Sequence, residues 1–297
     1  MNPDITISII NTNNREVVLD CLNSVFKNAG SLCLEVIVVD NACKDNSAEA
    51  IRDRFPQVTI LEHEEMMGFS TNNNLAFSKA TGRYLMLLND DTIVKPNALQ
   101  TMVNYMDTHL DVAVVGANLL NPDETPQLSY GYSPNPLYEG LRPFSELLLP
   151  IPPSHESPME VGNVCGAGMM VRASVAEKIG LLDTRFDPLY SEEVDWCFRF
   201  EKAGWRIFHL PAAEIIHIGG STMNRTPSKR YERIYEKKAL FFKKHYGKGT
   251  VAIYKITLFL SNLLKSIIWL ILWGFGKRNS REEFETHWNL TRRVLSL

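Results

Sequence analysis

Residues 5–14 read Ile-Thr-Ile-Ser-Ile-Ile-Asn-Thr-Asn-Asn, and this stretch decides how the first half of the chain should fold. Residues 5–10 are β-branched and almost entirely apolar, a pattern typical of a strand buried on both faces of a sheet. The polar run over 11–14 then predicts that the strand ends in a loop. A periodic apolar stretch over 17–26 predicts that a helix follows.

The same alternation of strand and helix continues along the chain. Short apolar runs predict strands, and periodic stretches between them predict helices. The strands fall at 35–39, 58–61, 84–88 and 112–116, and the helices at 46–55, 70–80, 97–107 and 173–180. The last helix follows an ordered stretch over 164–172. This order predicts an α/β fold whose sheet is mostly parallel and flanked by helices.

Polar clusters follow three of these strands, at 12–14, at Asp40-Asn41 and at Asp90-Asp91. In open parallel sheets, ligands bind beyond the carboxyl ends of the strands. Polar residues after a strand are also ordinary turn formers, which is the alternative explanation for each cluster. Three clusters at one edge of one sheet favour a binding site.

Two of the acidic clusters could carry chemistry. Asn89-Asp90-Asp91 ends a strand, where carboxylates can hold a hard divalent cation whose shell is completed by phosphate oxygens and water. Glu192-Glu193-Val194-Asp195 begins a predicted helix, with the neighbouring Trp196 either stacking on a substrate or lying in the core. Acidic residues in a first helical turn also interact favourably with the helix dipole, so a purely structural role stays open.

Composition excludes several classes of protein. The chain is 45% hydrophobic and 22% charged, which are values of an ordinary globular protein. Its five cysteines are scattered without a CxxC pair, which argues against a disulfide scaffold or zinc site and favours a reducing cytosol. No Walker or GxGxxG motif occurs, and no signal peptide is expected from residues 1–30. Residues 121–160 hold nine of the prolines and show few periodic signals.

Charge divides the chain into two parts. Residues 1–225 carry 16 Lys and Arg against 29 Asp and Glu, whereas residues 226–297 carry 15 against 5. We therefore predict an α/β domain over 1–225 and a basic helical tail over 226–297. Within the tail, 251–275 is mostly apolar but interrupted by Lys255 and Lys265, which favours a helix lying on an anionic membrane surface over one that spans the membrane. Burial in a homo-oligomer interface is the other alternative.

The chain resembles family 2 glycosyltransferases, and most closely their bacterial rhamnosyltransferase-like branch. An ordered series of motifs over roughly residues 5–246 carries the resemblance. The motifs are residues 8–15, Val38-Val39-Asp40-Asn41, Gly68-Phe69 with Asn73-Asn74, Leu87 to Thr92, Gly166-Ala167-Gly168, Glu192 to Cys197, and His217-Ile218-Gly219-Gly220-Ser221.

The resemblance implies a GT-A fold and inverting transfer of a sugar from a nucleotide diphosphate donor, dependent on a divalent cation (Mg²⁺ or Mn²⁺). Asp91 and His217 match metal ligands, and Glu193 matches the catalytic base that takes the proton of the acceptor hydroxyl. The residues expected at the donor nucleotide are Thr12, Asn13, Asp40, Asn41, Gly68, Asn73, Asn89 and Asp90. Arg225, Lys229 and Arg230 either meet the diphosphate or form a solvated basic face.

Two departures from the family pattern keep other readings open. Asn89 stands where the metal motif has Asp, and Glu193 is one methylene longer than the usual base, with Asp195 as the rival for base or acceptor contact. We expect rhamnose transfer to a glycan or lipid-linked acceptor in cell-surface polysaccharide synthesis, at the cytoplasmic face of the cell membrane and with no nucleic-acid partner. A catalytically impaired glycan-binding or scaffolding subunit is the alternative; a nucleotidyltransferase would need a Gly-rich signature with Lys, which is absent.

Overall fold

The structure is a computed structural model that describes residues 2–145, 155–219 and 227–294. Its strands are β1 (Ile5–Asn11), β2 (Leu34–Asn41), β3 (Thr59–His63), β4 (Tyr84–Asn89), β5 (Thr92–Val94), β6 (Val112–Leu120), β7 (Tyr130–Gly131), β8 (Met159–Glu160), β9 (Asn163–Val164), β10 (Gly168–Arg172) and β11 (Arg206–His217). Its helices are α1 (Arg15–Lys27), α2 (Ser47–Arg54), α3 (Phe69–Phe77), α4 (Ala98–Thr108), α5 (Pro136–Ser145), α6 (Ala173–Ile179), α7 (Glu192–Lys202), α8 (Pro227–Tyr246), α9 (Lys248–Gly274) and α10 (Ser280–Val294).

The chain forms two compact units. One contains residues 1–133 and 152–219, and the other contains 134–151 and 220–297. The sequence analysis placed a single boundary at 225, whereas the helical unit also takes in 134–151, because α5 packs against α9.

The first unit is built on one mixed sheet of nine strands, counted over the described residues, in the order β3-β2-β1-β4-β10-β6-β11-β5 with β8 on β11. The predicted strands β1 to β4 run parallel, and β10 enters antiparallel between β4 and β6. Buried apolar side chains of β1, β2, β4 and β6 form the core with the apolar faces of α1 and α4. The prediction of a mostly parallel sheet flanked by helices is confirmed.

Strand register brings the predicted polar clusters to one edge of the sheet. Asn11 pairs with Asp40, and Ile10 pairs with Asn89, so β1, β2 and β4 end at nearly the same level. On the far side of the sheet, β11 pairs with β5 so that His217 lies opposite Thr92. The histidine therefore reaches the same edge as the carboxylates after β4.

The second unit is helical. α9 packs against α5, α8 and α10. Gly140 of α5 permits the close approach of α9, because a Cβ at this position would overlap with the Thr257 side chain, 1.8 Å from its Oγ1, and would lie 3.0 Å from the Tyr254 carbonyl oxygen.

Candidate active site at the carboxyl edge of the sheet

Asp40 and Asn13 shape a turn at the ends of β2 and β1. Asp40 is buried, and its Oδ1 accepts a hydrogen bond from the Cys43 amide at 2.8 Å. Asn13 has a positive φ of 54°, and its side-chain oxygen accepts from the Lys44 amide at 2.7 Å. These bonds hold both predicted donor-binding residues side by side on adjacent loops.

Asn41 connects this turn to the loop before α3. Its Nδ2 donates to Thr12 Oγ1 at 3.3 Å and to the Met67 carbonyl at 3.2 Å, while its Oδ1 accepts from the Met67 amide at 2.7 Å. Asn41 therefore uses its whole amide group within the protein, and Thr12 lies against it. Contact of Thr12 and Asn41 with a nucleotide stays a prediction.

Gly68 and Asn73, two predicted donor-binding residues, have structural partners. A Cβ on Gly68 would lie 2.2 Å from Asp187 Cγ, so only glycine permits the approach of Asp187. Asn73 is buried; its Oδ1 accepts from Ser8 Oγ at 2.7 Å and its Nδ2 donates to the Phe69 carbonyl at 3.0 Å. Asn73 thereby ties α3 to β1, and direct contact of either residue with a nucleotide stays a prediction.

Asp187 caps the N-terminus of α3 from a distant part of the sequence. Its carboxylate accepts from the amides of Ser70 at 2.7 Å and Thr71 at 3.2 Å, and from Thr71 Oγ1 at 2.5 Å. Such an anion satisfies helix N–H groups that have no intrahelical acceptor. One turn along, Asn74 exchanges two hydrogen bonds with the backbone of Leu182. The segment that leads into α7 is thus clamped to α3 at two points.

Asp90 and Asp91 have different surroundings. Burial raises the pKa of Asp90 to about 6, and the adjacent charge of Asp91 adds to the rise. The Asn14 side chain opposes it, since its Nδ2 donates to Asp90 Oδ2 at 3.0 Å. Burial also opposes ionisation of Asp91, but a protonated His217 beside the carboxylate and the Gly219 amide, which donates to Oδ2 at 3.1 Å, outweigh burial and lower the pKa of Asp91 below its usual value. Asp91 therefore stays ionised down to a lower pH than Asp90 does.

His217 is oriented by two amide side chains. Its Nδ1 lies 2.7 Å from Gln127 Oε1, so Nδ1 carries a hydrogen and donates to that oxygen. In the neutral imidazole Nε2 is then an acceptor; it lies 3.2 Å from Asn89 Nδ2 and 3.4 Å from Asp91 Oδ1. The Nε2 lone pair of His217 and the Oδ1 atom of Asp91 therefore face the same small region.

This convergence fits a divalent cation. Asp91 Oδ1 is buried and has no hydrogen-bond partner among the described residues, which is costly unless a proton or a cation lies beside it. In the described ranges no set of three His, Cys, Asp or Glu side chains could bind a metal alone. A two-residue site suits a hard cation that takes its remaining ligands from phosphate and water.

The two candidate bases differ in burial and partners. Asp195 is fully buried, and its Oδ2 accepts from Arg199 Nε at 3.0 Å. Arg199 in turn donates to the carbonyls at the end of α6, at Ile179 and Gly180, so this ion pair holds α7 in place. Glu193, in the first turn of α7, is only partly buried and is the more accessible carboxylate.

Trp196 lies in the core. It is fully buried, contacts the Phe77 ring, and donates from Nε1 to the Gly180 carbonyl at 2.8 Å. Of its two sequence interpretations, the structural one is correct, because no part of the indole is left to stack on a sugar.

Cys165 lies near both the candidate base and the candidate cation site. Burial, followed by the nearby carboxylates of Glu193, Glu192 and Asp91, raises the pKa of this thiol to about 12. Carboxylates at the start of α7 and at the end of β4 therefore lie near the same loop, the one that contains Cys165. This loop continues through Gly166 to Ala167, whose carbonyl accepts a hydrogen bond from the Asn89 amide at 3.4 Å. The thiol itself stays protonated and is a poor nucleophile.

Sequence reasoning missed Asn14, Gln127 and Asp187 as contributors to the site. Asn14 stood within a motif that resembles the family, so its polarity was visible but its partner, Asp90, was not. Gln127 and Asp187 carry no local signal, because each acts on a residue about ninety or more positions away. Gly220, Ser221 and Arg225 lie outside the described residues; Lys229 and Arg230 begin α8 in the helical unit.

Comparisons with known proteins identify the family of this chain. The model of the family described as Glycosyl transferase family 2 matches residues 6–180. An N-acetylglucosaminyl-diphospho-decaprenol L-rhamnosyltransferase of Mycobacterium tuberculosis is 22% identical over 215 residues, covering 66% of this chain and 70% of the relative. Glycosyltransferase GlyG of Streptococcus pneumoniae is 30% identical over 132 residues, covering 43% of this chain and 42% of the relative.

Solved structures confirm the GT-A fold. Mannosyltransferase PcManGT from Pyrobaculum calidifontis, in complex with GDP-Man and Mn²⁺, has a TM-score of 0.63 at 14% identity and covers 100% of this chain and 87% of its own. GalNAc-T7 with UDP, GalNAc and Mn²⁺ has a TM-score of 0.59 at 14% identity, covering 81% of this chain and 50% of that one. At these identities the likeness establishes the fold.

Proposed function

Because this chain belongs to glycosyl transferase family 2, we propose that it transfers L-rhamnose, with inversion, from a nucleotide diphosphate donor to a hydroxyl of a lipid-linked glycan acceptor. That it is a glycosyltransferase follows from the family. The choice of rhamnose and of a lipid-linked acceptor is supported by the name of the mycobacterial relative. Cell-surface polysaccharide synthesis is the process in which such a reaction belongs.

The observation that carries the proposal is the convergence of Asp91 and His217 at the edge that also holds Asp40. Asp91 Oδ1 and His217 Nε2 lie 3.4 Å apart, with the carboxylate ionised. We propose that these two side chains hold Mg²⁺ or Mn²⁺ together with the donor diphosphate, and both solved relatives contain Mn²⁺. When bound, such a cation neutralises the charge that develops on the departing nucleoside diphosphate.

Asp40, Asn13 and Thr12 would form the nucleotide side of the site. The buried Asp40 carboxylate, fixed by the Cys43 amide, can accept hydrogen bonds from a base or ribose. Asn41 holds Thr12 and the loop at Met67 in place around this pocket. Asn89 and Asp90 would lie between the nucleotide and the cation.

Glu193 is our candidate for the base that removes the proton of the acceptor hydroxyl. Single-displacement inversion requires one carboxylate on the side opposite the leaving group, whereas a hydrolase would need two flanking carboxyls. Partial exposure favours Glu193, since the fully buried Asp195 already pairs with Arg199. Asp195 would then hold α7 rather than move a proton.

We also propose that the enzyme works at the cytoplasmic face of the cell membrane as a peripheral protein. Two features support this location. The tail is basic, and α9 is long and apolar enough to cross a membrane when only its length and composition are considered. A lipid-linked acceptor would be presented at that surface.

A donor panel tests the proposal. The full-length protein is mixed with nucleotide diphosphate sugars, and release of the nucleoside diphosphate is measured with Mn²⁺, with Mg²⁺ and with EDTA. We expect release from a nucleotide diphosphate rhamnose, and we expect this release to depend on the cation. A scaffolding subunit would bind glycan but release nothing from any donor, and release that is unchanged in EDTA would contradict the metal site.

A further inference from the structure

α9 distributes its side chains in the reverse of a helix from a water-soluble protein. Helices of soluble domains bury their apolar face and expose polar residues. The buried positions of α9 include Ser261, Asn262 and Ser266. Its exposed positions include six isoleucines and leucines that are 45–61% exposed. We call these the α9 stripe: Ile253, Ile256, Leu260, Leu264, Ile267 and Ile271.

The buried polar side chains have specific partners within the helical unit. Asn262 Nδ2 donates to the Leu258 carbonyl at 2.9 Å, and its Oδ1 lies 3.0 Å from His287 Nδ1 of α10, which donates to it. Ser266 Oγ donates to the Asn262 carbonyl at 2.8 Å. The bonds of Asn262 Nδ2 and Ser266 lie within α9, whereas the His287–Asn262 bond fixes this face of α9 against α10.

The α9 stripe contains no charge. Its members are three or four residues apart, which places them on one side of an α-helix with 3.6 residues per turn. Lys255 and Lys265 fall on the opposite half of the helix, and both are only partly exposed. The two lysines that interrupt the apolar segment in the sequence therefore leave the exposed surface uninterrupted.

We infer that the α9 stripe is a docking surface for an anionic lipid bilayer, with α9 lying in the plane of the interface. A continuous exposed apolar stripe marks a binding surface, and the surrounding charge selects its partner. Lys243, Lys244 and Lys248 precede the stripe, Lys277 and Arg278 follow it, and residues 226–297 carry ten more basic than acidic residues. An amphipathic helix flanked by cations suits negatively charged headgroups.

The packing of α10 against α9 favours the in-plane orientation over a spanning one. α10 runs beside α9 through the His287–Asn262 contact and exposes Arg281, Glu282 and Glu285. A membrane-spanning α9 would carry these charges into hydrocarbon, where each costs several kcal/mol. With α9 in the plane of the interface, the α9 stripe faces lipid and α10 stays in water. This inference deepens the membrane location proposed above and rests on that part of the proposed function, whereas it does not depend on the sugar-transfer reaction.

Two charge-matched variants of the full-length protein test the inference. Leu264→Glu places a carboxylate within the α9 stripe, and Leu110→Glu places one at a residue of the other unit that is 72% exposed. Binding is measured by flotation with vesicles of phosphatidylglycerol and phosphatidylcholine, and with phosphatidylcholine alone. Circular dichroism verifies that both variants fold, and donor-derived nucleoside diphosphate release is followed in parallel.

We expect Leu264→Glu to weaken binding to the anionic vesicles at least about tenfold, since the loss of one buried leucine is worth that much, and Leu110→Glu to bind like the wild type. Neutral vesicles should bind the wild type more weakly than anionic ones. Equal binding by the two variants would overturn the inference. So would dissociation of a lipid-free dimer by Leu264→Glu without a change in flotation, which would assign the stripe to a second copy. Wild-type binding that survives alkaline carbonate would overturn the in-plane orientation.

Discussion

The carboxyl edge of the sheet and helix α9 follow opposite rules of burial. At the sheet edge, the apolar strands are buried, and the polar side chains that follow them, such as Asp90 and His217, are partly exposed. In α9, Ser261 and Asn262 are buried while Ile256 is 61% exposed. The first arrangement suits contact with water and a soluble, charged donor, and the second suits contact with lipid.

This contrast separates two kinds of experiment. A change at the sheet edge should reduce catalysis and leave membrane binding intact, whereas a change on α9 should do the reverse. A variant that disturbed both would show that the two regions are coupled in solution.

Among changes at the carboxylates after β4, the larger effect is expected for Asp91→Ala. The substitution removes the ionised carboxylate that faces His217, and with it several kcal/mol of charge stabilisation in the transition state. We expect turnover to fall by about 10²–10³-fold and metal-dependent donor binding by calorimetry to be lost. Asp90→Ala serves as the comparison, and an equal loss in both variants would contradict the assignment of Asp91 as the ligand.

A smaller effect is expected for Asp187→Ala, which removes the cap on α3. The clamp connects α3 to the segment that leads into α7 and Glu193, so its loss should misplace the base by a fraction of an ångström. We expect kcat to fall about tenfold with little change in donor affinity. Asp53→Asn, on the exposed side of α2, is the control; a parallel loss of donor affinity would assign Asp187 to donor binding instead.

The smallest effect concerns stability at mildly acidic pH and should appear in both units. Burial lowers the pKa of His209 in the sheet unit and of His287 in the helical unit to about 4. Between pH 6.5 and pH 4 the unfolded chain binds more protons than the folded one, so stability decreases as the pH falls. Each histidine should cost about 2 kcal/mol between pH 7 and pH 5.

Hydrogen exchange followed by mass spectrometry can measure this loss separately in α10 and in the sheet, after correction for the intrinsic pH dependence. His287→Gln should remove the pH dependence of protection in α10 and leave that of β11 unchanged. The absence of any pH dependence in the wild-type α10 would contradict a neutral, buried His287.

The sequence predicted what local patterns control. Apolar runs placed β1 to β4 and β6 to within a few residues, and the polar ends of β1, β2 and β4 predicted their shared edge because parallel strands must end together. Contacts between distant segments escaped prediction: Gln127 orients His217 across ninety residues of sequence. Gly68 is likewise required because Asp187 approaches it closely, and no sequence pattern near residue 68 predicts this contact.

In the tail, composition indicated the apolar helix but not its orientation. The length of the apolar segment 251–275 suited a spanning, an interfacial or a buried helix, and the interrupting Lys255 and Lys265 favoured the interfacial one. Only the tertiary partners decided which side faces outward, because Asn262 is drawn inward by His287 and Ser261 by the Leu141 carbonyl. A polar residue in an apolar helix therefore gave information about the fold only once its partner was known.

The central claim is that the sheet edge performs base-assisted sugar transfer, and Glu193→Gln tests it most directly. The variant keeps the size and hydrogen-bonding capacity of the side chain but removes its basicity. Transfer to the acceptor and donor binding by calorimetry are measured on the same preparation, beside Asp195→Asn. We predict that Glu193→Gln loses about 10²–10⁴-fold in transfer with unchanged donor affinity. Transfer by Glu193→Gln at the wild-type rate would contradict the claim.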